Sequence, residues 1–227
     1  MGCQLKGGGG LYSRVRIGAV LLAAGEGRRM NGIAKAAIEM QGVPLIKRAR
    51  FGLSGAGVDE VVVVLGHQAE LLEPMVQDFP VTIVRNPNYA SGQMSSVQLG
   101  LESLTGTFDA VLICLADQPL LNTQDLNALI GAFKKRTSGS IVIPRVHGQR
   151  GNPIIFDWQV RNEILAGQKN LGCRNYIDKN PELVSPFDTD NDHYVVDLDT
   201  AEDVEKLQQR LGLVLKVPEP LHPVTSS

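Results

Sequence analysis

Two glycines and three cations stand close together near the start of the chain, in Leu22-Ala23-Ala24-Gly25-Glu26-Gly27-Arg28-Arg29-Met30 with Lys35 shortly after. Glycine lacks a Cβ, so backbone N–H groups at Gly25 and Gly27 can approach an anionic oxygen closely. Arg28, Arg29 and Lys35 supply the charge that a triphosphate or pyrophosphate needs. Much later, Leu115-Ala116-Asp117-Gln118-Pro119-Leu120 places an acid just after an apolar run. A hard oxygen ligand there can hold Mg²⁺ between protein and triphosphate, with Pro119 fixing the turn and Gln118 offering an amide to ligands. A second acidic stretch, Asp197-Leu198-Asp199-Thr200-Ala201-Glu202-Asp203, ends one pattern and opens another. Its plainest role is a helix cap at Thr200, with Glu202 and Asp203 complementing the helix dipole.

The elements that must position these groups alternate along the chain. Residues 17–22 read as a buried strand running into the glycine loop, residues 60–65 and 110–115 as buried strands, and residues 81–84 and 140–143 as further strands. Helical patterns start at Pro44, cover 68–77 and 95–104, and run from a Thr123 cap through Lys135. That β-α-β-α order predicts a single α/β domain with a Rossmann-like, doubly wound, mostly parallel sheet. In such sheets ligands bind at the carboxyl ends of the strands, where the glycine loop, Asp117 and Gly66 would all lie. From residue 145 the rhythm changes, and residues 145–192 are expected to form a small lobe over the sheet. Within it, residues 148–151 read as a turn, 154–156 as a returning strand and 158–179 as helical. Residues 194–196 read as a last strand and 200–211 as a closing helix.

Competing motifs fail at the loop. A dinucleotide fingerprint needs a third glycine where Met30 stands, and a P-loop needs Gly-Lys-Ser/Thr where Ile33 follows Gly32. A bare Gly-x-Gly would be a plain turn; two glycines, three cations and a preceding buried strand favour the anion cradle. Asn86 to Ser96 forms a polar loop in which Gly92 allows close backbone approach and Ser95 or Ser96 can cap the next helix. His67 and His147 are given no catalytic role.

Composition narrows the setting. The net charge of −2 offers no electrostatic case for nucleic acid as a partner. Cys3, Cys114 and Cys173 form no Cys-x-x-Cys pair, which argues against a zinc knuckle or a disulfide framework and for a reducing, cytoplasmic setting. No run is long and apolar enough to span a bilayer, and Lys6 occupies the place where a myristoylation motif wants Ser or Thr. Residues 1–15 are expected to be a disordered leader, 16–212 the domain and 213–227 a disordered tail.

The stretch from Leu22 to Met30, with Lys35, resembles the signature loop of the MobA-like nucleotidyltransferases. It is most similar to that of the molybdenum cofactor cytidylyltransferases, Leu-Ala-Ala-Gly-x-Gly-x-Arg-Met-Gly with a Lys five residues after the Met. Guanylyl-transferring relatives have Gly at the position of Ala24. Asn31 departs from the pattern's last Gly, and Asn tolerates left-handed backbone. Asp117-Gln118-Pro119 resembles the family's Asp-Gln-Pro, whose Asp is a magnesium ligand. Asp197 to Asp203 is similar to the family's closing Asp-x-Asp-Thr-Pro-Glu-Asp. There the Asp before Thr is the second metal ligand, which implies Asp199, with Asp197 the weaker candidate. Arg150-Gly151-Asn152-Pro153-Ile154-Ile155-Phe156 resembles an acceptor-side Arg-Gly-His-Pro-Val-Leu-Phe, and Leu171-Gly172-Cys173-Arg174 echoes a Gly-Ala-Arg segment.

The resemblance, over about residues 17–211, implies a nucleotide-diphospho-sugar transferase-like fold. It implies nucleotide contacts from Leu22, Ala23, Ala24, Gly25, Gly27, Arg28, Lys35, Gly66, Ser91, Gly92, Ser95, Ser96 and Asp117. Acceptor contacts would come from Gln118, Pro119, Arg150, Gly151, Asn152, Pro153 and Arg174. Mg²⁺ would rest on Asp117 and Asp199, with Arg29 and Lys35 completing the catalytic set. The implied reaction takes CMP from CTP to the phosphate of molybdenum-bound molybdopterin and releases pyrophosphate, with a molybdoenzyme apoprotein as a further partner. The alternatives are GTP or another donor with an acceptor such as a sugar phosphate, and a non-catalytic cofactor-delivery factor. The paired acids argue against the last.

Overall fold

The computed structural model describes residues 14–167 and 173–219, residues 173–175 by their backbone only. In chain order the strands are β1 (Ile17–Ala23), β2 (Glu39–Met40), β3 (Val43–Pro44), β4 (Glu60–Leu65), β5 (Thr82–Arg85), β6 (Ala110–Leu115), β7 (Ile141–Val146), β8 (Gln149–Arg150), β9 (Ile154–Asp157), β10 (Val184–Asp188) and β11 (Leu215–Lys216). The helices are α1 (Leu45–Gly55), α2 (Ala69–Leu72), α3 (Gln93–Glu102), α4 (Thr123–Lys135), α5 (Trp158–Ala166), α6 (Cys173–Lys179) and α7 (Ala201–Leu211).

The main sheet has the order β10-β7-β9-β6-β1-β4-β5, with β8 hairpinned onto β7. The pairs β6-β1, β1-β4, β4-β5 and β10-β7 are parallel, and β9 runs antiparallel between β6 and β7. The sheet is therefore mixed but mostly parallel, as the alternating pattern predicts. Alternation along β1 builds both layers. Ile17, Ala19, Leu21 and Ala23 pack with α1 and α4 residues Ile46, Leu53, Leu126 and Phe133. Val20 and Leu22 pack with α3 and α5 residues Val97, Leu101, Val160 and Ile164. A strand covered on both faces needs no polar residue, so β1, β4 and β6 are continuous apolar runs. A Cβ on Gly100 would come within 2.3 Å of Val20 Cγ1, so glycine lets α3 lie close on β1.

The later half differs from the expectation in several places. Residues 145–192 supply strands β9 and β10 to the sheet itself rather than only a lobe above it. β10 escapes the sequence pattern because it is an edge strand carrying Pro186, which reads as a loop. Residues 194–196 are not a strand. Asp192–Tyr194 is a 3-10 turn capped by Asn191, and Tyr194 is buried as a core side chain whose hydroxyl donates to Asp125 O at 2.7 Å. The hairpin after β7 turns at His147 and Gly148, both at positive φ, so Gln149 and Arg150 are strand. Asn122 rather than Thr123 caps α4, in a capping box with Asp125. Neither Ser95 nor Ser96 caps α3, which begins after Gly92 without a side-chain cap.

A small second sheet, β11-β2-β3, is invisible in the pattern because each strand has two residues. It carries the fold beyond residue 212, with Leu215 buried against Met40, Leu198, Val204 and Leu207. Ordered structure thus extends into the segment expected to be tail. The rest of the expected leader and tail, residues 1–13 and 220–227, lies outside the described residues.

Candidate functional site

The glycine loop is held by its own backbone. Gly27 O accepts from Met30 N at 2.7 Å and Gly32 N at 3.0 Å, which closes the Arg28–Met30 turn. Gly27 (φ 60°) and Asn31 (φ 53°) are both left-handed, so Asn31 fills the role of the pattern's glycine. The two glycines differ in kind. A Cβ on Gly27 would meet Ile33 O at 2.2 Å, whereas one on Gly25 would have nothing within 4 Å. Gly27 shapes the loop, and Gly25 leaves open space above it. Met30 anchors the loop from below, in a cluster with Leu198.

Asp117 follows β6, and Ala116 N donates to Leu22 O at 3.0 Å, so the ends of β6 and β1 stay side by side. Asp199 precedes α7, where the cap expected at Thr200 is present and Asp203 completes it as a capping box. Asp203 Oδ2 also accepts from Asp199 N at 3.1 Å, which fixes the Asp199 backbone. Lys35 joins the two acids. Its Nζ donates to Asp117 Oδ2 and, at 2.8 Å, to Asp199 Oδ1. Arg29 takes the other Asp199 oxygen at 2.8 Å. Burial opposes the Lys35 charge, but the charges and hydrogen bonds of Asp117 and Asp199 outweigh it and raise the ammonium above the usual lysine range. The hydrogen bond from Lys35 and the charges of Lys35 and Arg29 hold Asp199 below the usual carboxylate range despite desolvation. Desolvation and the charges of Asp199 and Asp117 push Asp197 above it.

Lys35, Asp117, Asp197 and Asp199 open onto a cavity of about 290 Å³, while Arg29 reaches Asp199 from outside its lining. Of the residues singled out in the sequence, Leu22, Ala23, Ala24, Gly25, Lys35, Ser96, Asp117 and Asp199 line it. Sequence reasoning assigned no role to Gln68, Leu72, Tyr89 and Gln93, which also line it, as does Asp197. Gln68 was within reach of inference, because it follows Gly66 at the carboxyl end of β4. It is buried, and its amide donates to Gly32 O.

Other expected contacts lie elsewhere. Arg28 is exposed and pairs with Glu26 at 2.7 Å. Gly66 serves packing, since a Cβ there would fall 2.6 Å from Ala24 O and 2.8 Å from Tyr89 Cβ. Ser91 donates to Asn88 O and Ser95 to Gly92 O, so both serve their own loop; Gly92, at φ 108°, shapes its bend. Gln118 does not offer its amide to the cavity. Nε2 donates to Asn152 O and Tyr194 O, both at 3.1 Å, and straps the two segments together. A Cβ on Gly151 would come within 2.4 Å of Tyr194 O, and Asn152 N donates to that oxygen at 2.8 Å. Gly151 and Asn152 are therefore packed against Tyr194, and Pro119 and Pro153 are buried. Arg150 pairs with Asp178 and borders a second cavity with Ile143, Arg145 and Pro186. The Arg174 side chain lies outside the described residues.

The family model of the MobA-like NTP transferase domain matches residues 19–183. The chain belongs to the MobA-like NTP transferase family. Its relatives include nicotine blue oxidoreductase of Paenarthrobacter nicotinovorans, 30% identical over 83% of this chain and 94% of that protein. A probable molybdenum cofactor guanylyltransferase of Methanosarcina acetivorans is 29% identical over 70% of this chain and 71% of that one. Among solved structures, Rv0371c of Mycobacterium tuberculosis H37Rv in complex with manganese superposes with a TM-score of 0.69 at 19% identity, covering 86% of this chain and 98% of that chain. That likeness establishes the fold. Among the described residues no helix is long and apolar enough to cross a membrane.

Proposed function

We propose that the chain is a divalent-metal-dependent nucleotidyltransferase that moves CMP from CTP to the phosphate of a molybdopterin-type acceptor and releases pyrophosphate. The observation that carries this is the convergence of Lys35 on Asp117 and Asp199 at a cavity whose floor includes the open Gly25. The donor set fits Mg²⁺. Two carboxylates aimed at one cation leave room for phosphate oxygens and water, which is how this ion is usually bound. Among the described residues no cluster of three or more ligating side chains exists, which suits a metal shared with substrate rather than a closed protein cage. A relative in the fold was solved with manganese, another hard divalent ion.

Asp117 and Asp199 would hold the metal, which supplies charge neutralisation at the triphosphate when bound. Lys35, Arg29 and the Gly25 backbone take the β- and γ-phosphate oxygens and stabilise departing pyrophosphate. An acceptor phosphate oxygen forms the new bond to the α-phosphorus as the bond to the β-phosphate oxygen breaks. A phosphate nucleophile is already ionised near neutral pH, so no general base is needed. Ala24, at the cavity wall, favours a pyrimidine. The test is a screen of four NTPs, with and without molybdopterin, reading pyrophosphate. Release only with CTP and acceptor is expected; release with GTP instead would match the guanylyltransferase relative and replace the donor.

A second reading comes from the relative named as an oxidoreductase. A phosphate cradle serves the diphosphate of a redox dinucleotide as well as a triphosphate. It expects hydride transfer from a reduced dinucleotide to an oxidised organic acceptor with no pyrophosphate released, so a parallel assay that supplies both and reads loss of the reduced dinucleotide separates the two.

A further inference from the structure

One ammonium serves two carboxylates in the cavity. Lys35 Nζ contacts Asp117 and Asp199 together, and the three side chains are 16%, 20% and 29% exposed. Nucleotidyltransfer, on which the inference rests, gives the same two acids to the metal, so lysine and metal draw on one pair of charges. We propose that Lys35 is a displaceable internal cation. It keeps the Asp117–Asp199 pair closed to a free divalent ion and yields it when a triphosphate offers the ammonium a new partner.

The backbones that carry the two acids are held in place. Asp117 sits at the end of β6, with its carbonyl held by Leu198 N, and Asp199 is fixed by the capping box of α7. Lys35 opens the Lys35–Ala37 turn, in which Ala36 and Ala37 are buried, so only its side-chain torsions are free to move. A free divalent ion entering the pair would leave this poorly exposed ammonium without an acceptor, an expensive state. A triphosphate removes that penalty, because its oxygens accept from the lysine and also complete the metal's ligands. Arg29, on the second Asp199 oxygen, is 71% exposed and gives way to solvent at little cost. Metal and nucleotide are then taken up as a unit.

Mn²⁺ is the probe, read by electron paramagnetic resonance and water-proton relaxation without turnover. In nucleotide-free protein, Lys35→Met binds Mn²⁺ about ten-fold tighter than wild type, and adding Asp117→Asn removes the gain. Lys35→Arg keeps a cation in place and stays near wild type. In wild type, CTP without acceptor raises the relaxation enhancement. Equal nucleotide-free affinity in wild type and Lys35→Met overturns the proposal. So does a wild-type enhancement that each of the four NTPs leaves unchanged, a measurement that stands even if Lys35→Met does not fold. The reaction itself is judged separately: a chain that gains Mn²⁺ affinity in Lys35→Met but releases no pyrophosphate with any NTP keeps the exchange and loses the transferase reading.

Discussion

The backbone N–H of Leu198 donates to the carbonyl of Asp117 across 3.1 Å. That bond brings the segment before α7 to the end of β6, and Leu198 packs with Met30 beneath the glycine loop. Three stretches far apart in the chain thereby meet, and Asp117, Asp199 and Lys35 are placed together without help from a ligand.

Asp117→Asn keeps the shape of this side chain and removes its charge. Pyrophosphate release is expected to fall close to background through weaker metal binding, while the chain stays folded with a melting temperature lowered only by loss of the Lys35 pair. Turnover within a few-fold of wild type rejects Asp117 as a metal ligand.

Lys35→Ala is expected to damage the reaction far more than Arg14→Ala. Arg14 bonds Gly57 O and Asp59 on the exposed surface, whereas Lys35 lines the cavity. A charge-assisted contact to phosphate is worth about 1.5–3 kcal/mol. Equal kcat/KM in the two variants means that the loop does not hold phosphates.

Gly25 and Gly27 separate activity from stability. Gly27→Ala places a methyl against Ile33 O at positive φ, so its melting temperature should fall, by a stability loss of about 1–3 kcal/mol. Gly25→Ala meets open space and should melt like wild type yet lose nucleotide affinity. A drop in melting temperature for Gly25→Ala, or none for Gly27→Ala, contradicts these assignments.

The ion pairs set a pH signature. Asp199 is depressed, chiefly by the Lys35 hydrogen bond, so its contribution is complete above the ordinary carboxylate range and disappears as pH falls through its lowered value. Lys35 is raised by its acids against the pull of burial, so its contribution is complete below the ordinary lysine range and disappears as pH rises through its raised value. The melting-temperature gap between wild type and Asp199→Asn should be widest near neutrality, begin to narrow at about pH 4 and close below the lowered Asp199 value. A gap of constant size from neutral to acid pH would separate Asp199 from these pairs.

The proposed donor choice rests on Ala24, which is 8% exposed and lines the cavity, its Cβ lying beside Gly66. CTP is expected over GTP in kcat/KM by roughly 1–3 kcal/mol, and Ala24→Gly is expected to shrink the difference. A wild-type preference for GTP removes the cytidylyl assignment; an unchanged CTP preference in Ala24→Gly removes only this explanation.

Local order was legible in the residues themselves. Continuous apolar runs at 61–65 and 110–115 specify buried strands, and the glycines after Leu22 specify a tight loop, because period and spacing are properties of neighbours in sequence. What depends on distant partners was not. Gly25 and Gly27 look alike until Ile33 O is placed against one of them. Gln118 resembles a ligand group until its amide is found on Asn152 and Tyr194. Tyr194 has strand-like neighbours but is a buried anchor on Asp125, and β10 and β11 become strands only because β7 and β2 offer unpaired edges. That one lysine holds both acids is likewise a tertiary fact. Residue types set what each group can donate or accept, and only the packed chain decides which donor meets which acceptor.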